Sequence, residues 1–263
     1  MEKDSLGNRM KEYYENRSKT YLTRRTPVII RLDGCHFHTF CHGLRKPYDP
    51  IFIKTMQLTC KDLCQSIQGC KLGYVESDEI SLLLIDYDKL TTDAWFDYQV
   101  QKICSVAASM TTMFFNRNFI KLVEDFGRQS EDVWRPDDPD LRYYEDVLLK
   151  KVDTGAYFDA RCFNIPENEI TNYFIWRQND ATRNSIQGLG QAHFSQKKLQ
   201  GLNNSQVQDL LMNEKNINWN DCSVVEKRGT CIKRIQGNWT IDNDIPIFTK
   251  ARGYIEAVIP RLM

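Results

Sequence analysis

Along the first 165 residues, short apolar runs alternate with longer segments in which apolar residues recur every three or four positions. Val28 to Leu32 is apolar except for Arg31 and predicts a strand. Pro27 ahead of it ends the preceding segment, because proline cannot continue a helix and holds its predecessor extended. Residues 70–77 and 80–86 predict two more strands around a Ser77-Asp78-Glu79 tip, and Tyr157 to Ile165 predicts a fourth. Between them, Ile53, Met56, Leu58, Cys60, Leu63, Cys64 and Ile67 give residues 51–68 a helical period. A second helix, with Thr91-Thr92-Asp93 as its cap, carries Ile103, Val106, Ala107, Met110, Met113 and Phe114 on one face. That spacing marks a core stripe, not a cofactor site.

Outside these elements the pattern is weaker. Met10, Tyr13, Tyr14 and Tyr21 sit among charges in residues 8–22 and predict an exposed or docking helix. The loop from Gly34 to Pro50 holds Gly43 and two prolines. Residues 123–148 are acidic and include Arg135-Pro136-Asp137-Asp138-Pro139-Asp140, which predicts a surface excursion or lid. The order strand, helix, strand, strand, helix, strand is the split βαβ, ferredoxin-like pattern, also the palm of many polymerases and cyclases. The expected fold is therefore α+β: a polymerase-palm-like antiparallel sheet with helices over about 24–166, then a helical and short-strand C-terminal extension over about 167–263. Together they would form a single catalytic unit. In the extension, residues 216–222, 230–239 and 254–258 read as short strands and turns.

Composition narrows the function classes. The chain is 41% hydrophobic and 27% charged, ordinary for a soluble globular protein, and 263 residues can bury a sizeable core. It contains no run of 18 apolar residues, and Met1-Glu2-Lys3-Asp4 has no secretory apolar core, so no membrane partner is expected. Nine irregularly spaced cysteines with no C-x-x-C pair read as reduced thiols of a cytoplasmic protein. Cys35, His36, His38, Cys41 and His42 have zinc-ligand chemistry but lack the paired spacing of zinc sites. The formal net charge is zero, which counts mildly against RNA binding but leaves local basic pairs: Arg24-Arg25, Lys197-Lys198, Lys227-Arg228 and Lys233-Arg234. Each is a solvated surface pair or a phosphate contact.

The chemistry gathers on two motifs 45 residues apart. Val28-Ile29-Ile30-Arg31-Leu32-Asp33-Gly34 and Glu76-Ser77-Asp78-Glu79-Ile80-Ser81-Leu82-Leu83-Leu84 each place carboxylates at the end of an apolar run. Meeting at one sheet edge, they would hold divalent metal against a triphosphate, as nucleotidyl transfer requires. Mg²⁺ takes hard oxygens and few protein ligands, so Asp33 and Asp78 can bridge two ions, with a carbonyl from Gly34. Glu79 either joins this catalytic set or, since strand neighbours face opposite ways, points to the other face. Taken singly, each motif is equally an ordinary turn.

The stretch Arg31-Leu32-Asp33-Gly34-Cys35-His36-Phe37-His38-Thr39-Phe40, then Lys46-Pro47, then Glu76-Ser77-Asp78-Glu79, strongly resembles the tRNA-His guanylyltransferase superfamily. Phe158-Asp159-Ala160-Arg161, Trp176-Arg177-Gln178-Asn179-Asp180 and Lys227-Arg228-Gly229-Thr230 add to the resemblance, which spans roughly residues 24–235. It implies a palm that adds nucleotides in the 3′-to-5′ direction onto the 5′ end of tRNA. It also implies two Mg²⁺ on Asp33, the Gly34 carbonyl and Asp78, with ATP and GTP as substrates and a homotetramer built as a dimer of dimers. Cys35, His36, Phe37, His38, Lys46 and Ser77 would line the triphosphate, with Lys102 as a further candidate. Candidate tRNA contacts are Arg24, Arg25, Arg177, Arg183, Asn184, Lys197, Lys198, Lys227 and Arg228.

Two departures bear on substrate. Eukaryotic family members carry His-Ile-Asn-Asn-Leu-Tyr-Asn where this chain has Thr182-Arg183-Asn184-Ser185-Ile186-Gln187-Gly188, matching only at Asn184. This resembles the guanylyltransferase-like branch of bacteria and archaea, associated with template-dependent repair of 5′-truncated tRNA. Cys35 stands where the family often has Arg, which bears on base preference. The competing readings are a dedicated tRNA-His guanylyltransferase adding one 5′ G, a nucleotide cyclase, and a non-catalytic RNA-binding module.

Overall fold

The structure is a computed structural model and describes residues 5–132 and 139–260. In chain order its elements are α1 (Ser5–Tyr13), β1 (Val28–Gly34), α2 (Phe37–Phe40), α3 (Pro50–Ser66), β2 (Cys70–Glu76), β3 (Glu79–Leu84), α4 (Val100–Asp132) and α5 (Pro139–Thr154). They continue with β4 (Phe158–Asn164), α6 (Ile170–His193), α7 (Gln196–Leu199), α8 (Asn204–Lys215), α9 (Val224–Arg228), β5 (Thr230–Ile235), β6 (Asn238–Asp242) and α10 (Gly253–Glu256). One six-stranded sheet runs β4-β1-β3-β2-β5-β6 with every neighbouring pair antiparallel. Its first four strands are in the split βαβ order. The hairpin β5–β6 extends that sheet beside β2, so the C-terminal region builds onto the sheet itself.

Strand alternation divides the core. Val28, Ile30 and Leu32 face α3 and α4, with Phe37, Phe52, Phe115 and Phe158 packed among them. Ile29, Tyr74 and Leu83 face the other way and are covered by Tyr173 and Phe174 of α6 and by Phe248 and Ile255. Both faces of β2 and β3 are therefore covered, which is why these strands are buried along most of their length instead of alternating. The edge strand β4 does alternate. Beyond the sheet edge, the C-terminal half of α6 joins α7 and α8 in a third cluster around Ile186, Leu189, Val207 and Leu211. Buried Asp49 caps α3 by accepting from the Phe52 amide at 2.9 Å, with Pro50 in the first turn.

Several expectations are corrected. Helix α4 starts at Val100, not near Thr91, because Thr92 turns its hydroxyl onto the Lys89 amide and a 3-10 turn at Trp95–Tyr98 intervenes. Met113 is 53% exposed. At roughly 100° per residue it lies about 80° from Ile103, at the edge of the stripe. Most of the expected lid over 123–148 is helix: α4 continues to Asp132, and α5 buries Tyr144, Val147 and Leu148. Of the Pro-Asp run, residues 135–138 lie outside the described residues, and Pro139 opens α5. Residues 216–222 form a 3-10 turn at Trp219–Asp221 instead of a strand, and 254–258 begin in α10. The 230–239 stretch is two strands reversing at Gln236 and Gly237, both at positive φ. Helix α1 is shorter than expected and buries none of its residues.

Candidate active site

The site is built where β1 ends beside the β2–β3 hairpin. Glu76 and Glu79 are cross-strand partners, so the tip consists of Ser77 and Asp78 alone, with Ser77 at φ 46°. The Gly34 amide donates to the Asp78 carbonyl at 3.1 Å. This bond ties the end of β1 to the tip and brings Asp33, Gly34 and Asp78 to one sheet edge. Gly34 is required by packing: a Cβ there would lie 2.2 Å from Cδ2 of Phe37. The chain then turns through Cys35, whose amide donates to the Tyr157 carbonyl at 2.9 Å, and His36, at φ 57°, into α2.

Register aligns Asp159, Asp33, Glu79 and Glu76 in one row across β4, β1, β3 and β2. Cross-strand partners project to the same face, so this end of the sheet concentrates negative charge on the α6 side. Three arginines answer it unequally. Arg177 of α6, 4% exposed, donates to Glu79 through Nε at 2.7 Å and Nη2 at 2.8 Å, to Glu76 through Nη2 at 2.9 Å, and to Asp180 through Nη1 at 2.9 Å. Arg31 lies 3.8 Å from Glu79. Arg161 stands off at 3.7 Å from Asp33 and 3.5 Å from Asp159. Burial pushes the Asp78 carboxyl above its ordinary range, and nearby Asp33 pushes it further. Burial pushes Glu79 up as well, and Glu76 to about 8, with Arg177 opposing both.

The donor chemistry fits Mg²⁺. Asp33 and Asp78 are adjacent carboxylates with no arginine among the described residues in hydrogen-bond contact, and a divalent cation would offset their mutual repulsion. Among the described residues no group of three His, Cys, Asp or Glu side chains is arranged to hold a metal. Two carboxylates completed by phosphate oxygens remain as the compatible set.

A cavity of about 210 Å³ opens beside the tip, lined by Glu76, Ser77, Pro47, Tyr48, Asn184 and Glu226 among others. Its walls are braced: the Tyr48 hydroxyl meets Ser185 Oγ at 2.7 Å, and Asp49 accepts from Tyr144 at 2.7 Å. A wider groove of about 890 Å³ separates His38 from Gln187, Gln191, Phe194 and Lys197.

The sequence-predicted residues fall into three groups. Asp33, Gly34, Cys35, His36, Ser77 and Asp78 gather at the edge; Asn184 lines the cavity, exposed Lys46 precedes its lining residue Pro47, and His38 and Lys197 border the groove. Others are redirected. Phe37 is 4% exposed in the aromatic core and cannot line a nucleotide. Glu79 is held by Arg177 and is not a free metal ligand. Arg177, expected on RNA, is buried beneath the tip. Lys102 lies on the α4 face near the far end of β4, where Cys104 meets Cys162 at 3.6 Å, and its ammonium rests over the Phe96 ring at 4.8 Å.

Among the remaining basic residues, Arg24 pairs with Asp86 and Asp97, and Arg25 donates to the Lys89 and Leu90 carbonyls. Arg183 pairs with Asp180 and Lys198 with Glu214. Lys227 donates to the Asn220 carbonyl, and Arg228 offers its carbonyl to Tyr74. Sequence reasoning did not assign Glu76, Asp159, Arg161 or Tyr48 to the site. The first two are cross-strand neighbours of assigned carboxylates, which only register reveals.

Comparison with known proteins follows the same outline. Residues 7–166 match the family described as tRNAHis guanylyltransferase. A bacterial tRNA(His) guanylyltransferase-like protein solved in complex with ATP is 46% identical, with a TM-score of 0.80 over 97% of this chain and 99% of its own. A bacterial guanylyltransferase-like protein in complex with GTP is 39% identical, with a TM-score of 0.75 over the same shares. The tRNA(His) guanylyltransferase of Debaryomyces hansenii is 28% identical over 229 residues, 82% of this chain and 76% of that relative.

Proposed function

Because the chain belongs to the tRNAHis guanylyltransferase family and is a nucleotidyltransferase, we propose that it adds nucleotides to the 5′ end of tRNA in the 3′-to-5′ direction, rebuilding truncated ends against the opposing strand. The observation that carries this reading is the Gly34 to Asp78 bond, which sets two carboxylates at one edge beside a cavity. Asp33, Asp78 and the Gly34 carbonyl would hold two Mg²⁺, which supply charge neutralisation on the triphosphate and acidify the attacking hydroxyl.

The chain's own residues position the reactants. Lys46, exposed and one residue before the cavity-lining Pro47, supplies a point charge to the triphosphate. Tyr48 and Asn184 bound the space beside it. In the first step an oxygen of the RNA 5′-monophosphate attacks the α-phosphorus of ATP and pyrophosphate leaves. In the second the 3′-hydroxyl of an incoming nucleoside triphosphate attacks the activated 5′ phosphate and AMP leaves. Positioning and charge neutralisation account for most of the catalysis in such transfers. Base choice comes from pairing with the opposing tRNA strand, so few protein contacts to bases are needed. That suits a chain of zero formal net charge.

The repair reading is supported by the altered stretch at residues 182–188 and by 46% identity to a bacterial guanylyltransferase-like protein against 28% to the Debaryomyces enzyme. The test is incubation with labelled nucleoside triphosphates and a non-histidine tRNA lacking several 5′ nucleotides. Stepwise extension complementary to the 3′ strand is expected. Addition of a single guanylate, confined to full-length tRNA-His, would refute repair. A cyclic nucleotide as sole product would refute RNA extension altogether.

A further inference from the structure

We propose that Arg177 is the positioning residue that sets Asp78, acting through the two glutamates at the feet of the tip; this rests on the metal-holding role given above to Asp33 and Asp78. The geometry is specific. Glu76 ends β2 and Glu79 begins β3, and the two are cross-strand partners on either side of Ser77 and Asp78. One guanidinium holds both, doubly on Glu79 and singly on Glu76, and its remaining nitrogen binds Asp180. The planar fork of arginine can span two carboxylates in this way, whereas the ammonium of lysine cannot. Without it, two buried carboxyls would face each other at the base of a two-residue turn with no donor between them.

The clamp is mounted on a fixed support. On the next residue of α6, the Gln178 side chain donates to the Pro246 carbonyl at 2.9 Å and accepts from the Phe248 amide at 2.8 Å. Phe174, one turn earlier, is fully buried. The Trp176 ring lies 4.6 Å from the Arg177 guanidinium carbon, so an aromatic face covers the cation. The tip has little other anchorage: Ser77 is at positive φ, and the Asp78 carbonyl accepts the Gly34 amide. Moving the glutamates therefore moves Asp78 and, through that bond, Gly34. Among the described residues, the hydrogen bonds and ion pairs of Arg177 go to Glu76, Glu79 and Asp180, and none to Asp33 or Asp78.

Arg177→Lys keeps the charge and loses the fork. Mn²⁺ binding, followed without nucleotide by the loss of the free-ion electron paramagnetic resonance signal on adding protein, should need at least tenfold more metal for half saturation. In Mn²⁺-dependent extension kcat should fall by a similar factor, while KM for the nucleotide changes less than threefold. Arg177→Met with Glu76→Gln and Glu79→Gln removes the guanidinium and both glutamate charges, leaves Asp180 paired with Arg183 and should fold, yet bind Mn²⁺ as weakly as Arg177→Lys. Wild-type Mn²⁺ affinity in Arg177→Lys would overturn the proposal. So would a variant that is thermally destabilised but binds metal normally once folded, or one whose only change is weaker tRNA affinity. Asp78→Asn is the control: if it too binds Mn²⁺ normally, the metal assignment fails, and not the clamp.

Discussion

Gly34→Ala is the sharpest test of how the site is packed. The new Cβ would lie 2.2 Å from Cδ2 of Phe37 and 2.6 Å from two further ring atoms. Carbon atoms rest at about 3.5–4.0 Å, so the ring or the backbone must yield by more than about an ångström. The ring has no room. Its centroid is 4.9 Å from Phe158, 5.2 Å from Phe40, 5.5 Å from Phe115 and 5.9 Å from Phe52. The backbone must then shift at Gly34, between Asp33 and the bond to Asp78.

Overpacking of this kind costs about 1–3 kcal/mol, and two rigid partners put the expectation at about 3 kcal/mol. Urea unfolding should show that loss with an unchanged m value, and kcat/KM for nucleotide addition should fall at least tenfold. Phe37→Ala, itself costing about 3–5 kcal/mol, empties the space the methyl needs. In that background Gly34→Ala should cost less than about 1 kcal/mol, a coupling of about 2 kcal/mol. Equal costs in the two backgrounds, or a wild-type cost under about 1 kcal/mol, would refute the reasoning.

Three further outcomes follow from the same geometry. Asp33→Asn and Asp78→Asn should each abolish nucleotide addition while leaving the unfolding midpoint unchanged or raised, because each removes a repelling charge; near-normal turnover in either would remove the metal assignment. Lys46→Ala should slow single-turnover addition to 5′-monophosphorylated RNA far more than to 5′-triphosphorylated RNA, which bypasses adenylylation; equal losses would place Lys46 on the incoming nucleotide instead. Burial raises Glu76 from 4.5 to about 8, so the folded state binds its proton more tightly than the unfolded chain. The stability contributed by that protonated carboxyl is complete below about pH 4.5 and is lost as pH rises through 8. Glu76→Gln should therefore flatten the decline of unfolding free energy between those values, and matching slopes in the two proteins would count against it.

Local chemistry was enough for the scaffold and for half of the site. Apolar runs bounded by turn residues located β1 to β4 to within a few residues, because strand period and turn preference act over neighbours in the chain. Asp33 at the end of one run and Asp78 in the tip of another were legible for the same reason. Helix α5 was not, since a charge-rich segment hides the short stripe Tyr144, Val147 and Leu148 that packs on the core. Nor could adjacency in sequence separate Asp78 from Glu79. That distinction depends on the Glu76 to Glu79 register and on Arg177, which arrives from 98 residues further along the chain. Phe37 stands among residues expected to bind nucleotide, and only the closure of four other aromatic rings around it makes it core. Period and turn chemistry are settled by near neighbours, whereas the partner of a charge and the burial of a ring are settled by segments that meet only after the sheet has formed.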